Sequence, residues 1–104
     1  MQEYWNLLVK SFEVATHKHQ DITIDISNPT NEYSIAVING TISFCSIIDD
    51  KIKIMIGETE LLIEKSNFTD INYEIDCFVD GDELINCGEF ELKSDSYSIY
   101  ISFD

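Results

Sequence analysis

His17 and His19 stand two residues apart, with Glu13 and Asp21 near enough in sequence to add oxygen ligands. A tetrahedral zinc site takes three or four good ligands, and this junction offers two imidazoles, so no metal is expected there. Asp76-Cys77-Phe78-Val79-Asp80-Gly81 resembles the opening of a calcium-binding loop, with glycine at the sixth position. Phe78 and Cys87 fall where two of the oxygen ligands belong, which argues against a dedicated calcium site. Cys45, Cys77 and Cys87 are irregularly spaced in anionic surroundings that keep a thiol protonated rather than activate it, although a Cys77–Cys87 bridge across a hairpin stays open. Asp49-Asp50 could share acid–base work, but the pair sits where a turn is needed. The four glycines are scattered and form no phosphate-cradling loop. No enzyme, cofactor or metal is expected.

The remaining chemistry is negative charge. Twenty Asp and Glu face six Lys, there is no Arg, and the net charge is −14. Such a chain cannot offer phosphates a cationic groove, which excludes nucleic acid as a direct ligand, and an anionic membrane surface is excluded for the same reason. The second half of the chain, residues 53–104, carries −10 of the total. Along Ile71 to Val79 the alternation turns Asn72, Glu74, Asp76 and Asp80 away from the apolar set, with Phe78 interrupting the polar row. Asp82 and Glu83 occupy the following turn, and Glu89 and Glu91 face away from Phe90 and Leu92. Same-face residues on a strand lie about 6.6 Å apart, near the spacing of phosphates along a nucleic-acid strand. Tyr100 and Phe78 are expected on the polar sides of their strands, where an aromatic among carboxylates suits an interface anchor.

These residues need elements to hold them. Residues 3–15 lack Gly and Pro and place Tyr4, Trp5, Leu8, Phe12 and Ala15 at helical spacing. From residue 21 the period changes to two, with Ile22, Ile24 and Ile26 alternating with polar residues. Tyr33 to Ile38 and Thr41 to Ile48 flank Asn39-Gly40, which reads as a hairpin turn. Further strands are expected at Lys51 to Ile56, Thr59 to Glu64, Ile71 to Val79, near Leu84 to Leu92, and at Tyr97 to Phe103. Turns are expected at Asp49-Asp50, Gly57-Glu58, Ser66-Asn67, Asp80-Gly81 and Ser94-Asp95. The predicted class is α+β in one domain of residues 1–104. A helix and junction over 1–19 pack on a mostly antiparallel, twisted or partly rolled β-meander of about six to eight strands over 20–104.

The N-terminus has no basic, apolar leader pattern and no stretch reaches transmembrane length, so a cytoplasmic chain is expected. A charge of −14 exceeds the roughly 2 to 8 that solubility asks of a small domain, which points to a cationic partner, although solubility alone would also account for part of it. Short, acidic and without a catalytic set, the chain has the general character of anti-restriction and anti-CRISPR inhibitors, which share no common fold. The expected function is a non-enzymatic inhibitor that mimics nucleic acid. Its surface of Glu74, Asp76, Phe78, Asp80, Asp82, Glu83, Glu89, Glu91 and Tyr100 would engage a basic nuclease, CRISPR effector, restriction enzyme or toxin. The alternatives are an immunity protein that neutralises a cognate toxin, and a small-ligand or structural module.

Overall fold

The computed structural model describes residues 2–28, 33–74, 78–80, 83–85 and 88–103. Helix α1, Gln2–His17, buries Trp5, Leu8, Phe12 and Ala15 along the one apolar stripe that its spacing dictates. Tyr4, at the margin of that stripe, is 42 % exposed, with its ring 6.4 Å from that of Tyr73. The helix stops in a Schellman motif. His19 takes a left-handed φ of +52° and donates its N–H to the Thr16 carbonyl at 3.3 Å, and the Gln20 N–H reaches the Ala15 carbonyl at 2.9 Å.

Nine strands follow among the described residues: β1 Asp21–Ser27, β2 Ser34–Ile48, β3 Lys51–Ile56, β4 Thr59–Glu64, β5 Asp70–Tyr73, β6 Phe78–Asp80, β7 Glu83–Ile85, β8 Glu89–Lys93 and β9 Ser98–Phe103. Seven form one antiparallel sheet in the order β4-β3-β2-β1-β9-β8-β5, and β6 and β7 pair separately. This is the expected α+β meander, with a sheet that does not close. The two-residue turns at Asp49-Asp50 and Gly57-Glu58 each put their first residue at positive φ, +55° for Asp49 and +60° for Gly57, as tight hairpins require.

Strands β4 and β5 are opposite edges of the sheet, yet only residues 65–69, including the 3-10 turn Lys65–Asn67, connect them. Seven flat strands would span about 29 Å, whereas that connection reaches roughly 20 Å at full stretch. The sheet therefore rolls, and α1 lies in its hollow. Leu8, Phe12, Ile22, Ile24, Ile42, Ile52, Ile54, Phe90, Leu92 and Ile101 are fully buried there, and the rings of Phe12 and Phe90 each meet Phe103 edge-on. Lys65 Nζ also donates to the Gln2 side chain, tying the connection to the start of the helix.

Three expectations are corrected. Asn39-Gly40 is no hairpin: β2 runs unbroken through it, pairing with β1 as far as Thr41 and with β3 from Ile42 onward. Gly40 sits where the strand changes partner and the end of β3 closes over it, since a Cβ there would lie 3.1 Å from Ile56 Cγ2. Ile71 to Val79 is not one strand either. Strand β8 begins at Glu89, opposite Ser102, so β5 has a ladder to follow only through the Tyr73–Phe90 pair and the Glu74 N–H bond to the Glu89 carbonyl, and Phe78–Asp80 pairs elsewhere. The segment from Leu84 to Leu92 divides between β7 and β8 in the same way.

Candidate partner-binding site

The outer face of β5, β8, β9 and β1 follows directly from register. Inward residues alternate with outward ones, so the pairs Asn72↔Glu91, Glu91↔Tyr100 and Tyr100↔Asp25 form one row across four strands. Beside it run Glu89↔Ser102↔Thr23 on one flank and Asp70↔Lys93↔Ser98↔Ser27 on the other. Glu74 follows β5, and its N–H donates to the Glu89 carbonyl at 3.0 Å, which brings it beside Glu89.

Glu91 is the hub of this face. Lys93 Nζ lies 3.3 Å from its Oε1, Asn72 Nδ2 lies 3.4 Å from the same oxygen, and the Tyr100 hydroxyl donates to the carboxylate as well. Burial pushes the Glu91 carboxyl up, but these hydrogen bonds and the Lys93 charge outweigh burial and leave it below its ordinary value. Asp25 accepts from the hydroxyls of Ser27 at 2.9 Å and Ser34 at 2.9 Å, and Asp21 accepts from Thr41 Oγ1 at 2.6 Å. This face thus carries Asp21, Asp25, Asp70, Glu74, Glu89 and Glu91, with Lys93 its single cation among the described residues.

The outer face of β3 and β4 with the second half of β2 is different. Phe44, Met55 and Glu60 form one row, Ser46, Lys53 and Leu62 the next, and Ile48, Lys51 and Glu64 a third. Two Lys balance two Glu there, with Lys53 and Glu60 paired at 3.3 Å. The roll therefore separates an acidic face from a neutral, partly apolar one.

Of the residues expected to bind a partner, the structure brings Glu74, Glu89, Glu91 and Tyr100 together. Asp76 and Asp82 lie outside the described residues, and Phe78, Asp80 and Glu83 belong to β6 and β7, whose side chains are also outside them. Sequence reasoning placed Asn72 on the polar row and missed Asp25 and Asp70. Alternation already turned Asp25 outward, but only the β1–β9 pairing sets it beside Tyr100.

The other candidate chemistry resolves into local structure. His17 and His19 are exposed, and His19 is the left-handed residue of the helix stop. Cys45 is half-buried, and its thiol is pushed up to about 11 by burial and by the Glu13 charge, against a hydrogen bond with Thr16. Cys77 and Cys87 lie outside the described residues, and so does the question of their pairing. No group of three or more His, Cys, Asp and Glu is placed to hold a metal ion among the described residues. No helix among the described residues is long and apolar enough to cross a membrane. The chain matches no known family, no curated protein and no solved structure.

Proposed function

We propose that this protein is a non-enzymatic inhibitor whose acidic face occupies the cationic groove of a basic, nucleic-acid-handling protein, in the manner of anti-CRISPR or anti-restriction inhibitors. The observation that carries the reading is that the outer face of β5, β8, β9 and β1 carries six carboxylates and one lysine among the described residues. Glu89 and Glu91 stand about 6.6 Å apart along β8, and neighbouring strands repeat at about 4.8 Å, so the face offers anionic groups at spacings comparable to phosphates. The Tyr100 ring lies among them, its hydroxyl given to Glu91, as an apolar centre within a charged rim. Opposite potentials speed encounter and make the complex sensitive to salt.

The test is capture on the immobilised protein from a bacterial lysate. A basic partner should be held at low salt, released at about 0.5 M NaCl where the Debye length falls below about 5 Å, and displaced by added DNA or RNA. Joint Glu74→Lys and Glu89→Lys should weaken that capture by about tenfold or more, since both residues lie at the surface of the acidic face. A partner that nucleic acid cannot displace would instead favour an immunity protein bound to its toxin. Unchanged capture by the variant would remove this face from the proposal.

A further inference from the structure

Residues 33–48 form a run without one charged side chain, in a protein of net charge −14. The whole of β2 lies in it. The first half of β2 pairs with β1 over Ser34–Thr41, whereas β3 joins β2 only from Ile42. From Ser34 to Gly40 the side of β2 away from β1 therefore meets no strand among the described residues. Ile35 is 64 % exposed and Val37 59 %, and Ser34 and Ala36 are exposed as well. Free edges are ordinarily guarded by lysine, proline, inward-pointing charge or a covering segment. Ser34–Gly40 contains no lysine, proline or charge.

We infer that this edge is the seat of a second copy of the chain, two β2 strands pairing antiparallel about a two-fold axis over Ser34–Gly40. The charge pattern chooses the occupant. A cationic partner would be drawn to the carboxylates of β1, β5 and β8, not to an uncharged strand. What fits an uncharged apolar edge is another such edge, and a two-fold contact lets one strand supply both sides. Ile35 and Val37 would meet their counterparts on the outer face of the joined sheet. Repulsion is lowest here too. The nearest carboxylates on the outer face, Asp21 and Asp25, sit one strand in, so across the contact they are at least about 14 Å apart, three strand spacings, against a Debye length of about 8 Å at physiological salt. Pairing would set two acidic faces side by side on one continuous sheet. The inference does not rest on the proposed inhibitor function.

The salt dependence separates the two. Pairing of two anionic chains should tighten with salt, whereas binding to a cationic partner should weaken. The experiment is sedimentation equilibrium of the purified protein between about 0.05 M and about 0.5 M NaCl. It is coupled to hydrogen exchange of the Ser34–Gly40 amides above and below the dimer transition. A dimer is expected that tightens several-fold over that range and slows those amides. Joint Ile35→Lys and Val37→Lys should make the protein monomeric at every salt concentration with an unchanged circular dichroism spectrum. Joint Phe44→Lys and Ile48→Lys, on the neutral outer face, should leave the dimer in place. A monomer throughout, a dimer that loosens with salt, a dimer that survives the first pair, or loss of the dimer with the second pair would each overturn the assignment.

Discussion

Glu91 shows how one carboxylate can serve fold and surface together. Its side chain is only 22 % exposed, and burial alone would favour the protonated acid. Tyr100, Asn72 and Lys93 reverse that balance, so the folded protein holds Glu91 ionised to lower pH than the unfolded chain does. A depressed carboxyl stabilises the fold at pH values above its unfolded titration near pH 4, and the contribution fades as pH falls through the lower folded value. Tyr100→Phe removes one donor and keeps the ring, so it should cost about 1 kcal/mol at pH 7. The cost should shrink from pH 7 toward pH 3, because protonation of the carboxyl removes its dependence on that donor. Urea unfolding of the two proteins at both pH values measures this, and a cost equal at the two would show that Tyr100 acts through packing instead. Alternation alone placed Tyr100 among carboxylates. It could not tell that the hydroxyl is engaged by Glu91, because that requires β8 and β9 to be neighbours in a particular register.

Strand β2 is the element on which the architecture turns. It runs from Ser34 to Ile48, belongs to the acidic half of the sheet through β1, and carries the neutral half through β3. Gly40 stands at the changeover with the Ile56 side chain against it. Gly40→Ala would place a methyl 3.1 Å from Ile56 Cγ2, so the buried end of β3 must shift, and a loss of about 1 to 2 kcal/mol is expected in urea unfolding. If Asn39-Gly40 were a hairpin turn, the same change would instead disrupt the pairing of β2 with itself. The elements were largely legible from local pattern. The apolar stripe of α1, the Ile alternation of β1, and the two-residue turns before β3 and β4 all follow from neighbours in sequence. Asn-Gly misled because the hairpin signal and the close-approach signal of an isolated strand glycine are the same letters, and only the β3 strand end decides between them. The break after Tyr73 was hidden for a related reason: it is set by where β8 starts, not by any residue within Ile71 to Val79. The roll of the sheet depends on β4 and β5 being its two edges with only residues 65–69 between them, a strand order that local pattern does not carry.

At the scale of the molecule the excess of negative charge should set the sign of every response to salt. The acidic face sets six carboxylates against one lysine on four neighbouring strands, so folding concentrates like charge that the unfolded chain spreads out. Screening relieves the folded state more than the unfolded one, and the fold should therefore gain stability with salt. A gain of about 1 kcal/mol would raise the melting temperature by about 4 °C for a chain of this size. Calorimetry from about 0.02 M to about 0.5 M NaCl should show that rise, with most of it below about 0.15 M, where the Debye length is still changing on the scale of neighbouring rows. The rise should be smaller in the Glu74→Lys and Glu89→Lys protein, which carries less of the charge being screened. A flat melting temperature would mean that Lys93 and the hydroxyls facing Asp25 and Glu91 already offset the repulsion within the face. The acidity would then impose little strain on folding, and the case for a cationic partner would have to stand on the spacing of the carboxylates rather than on their excess.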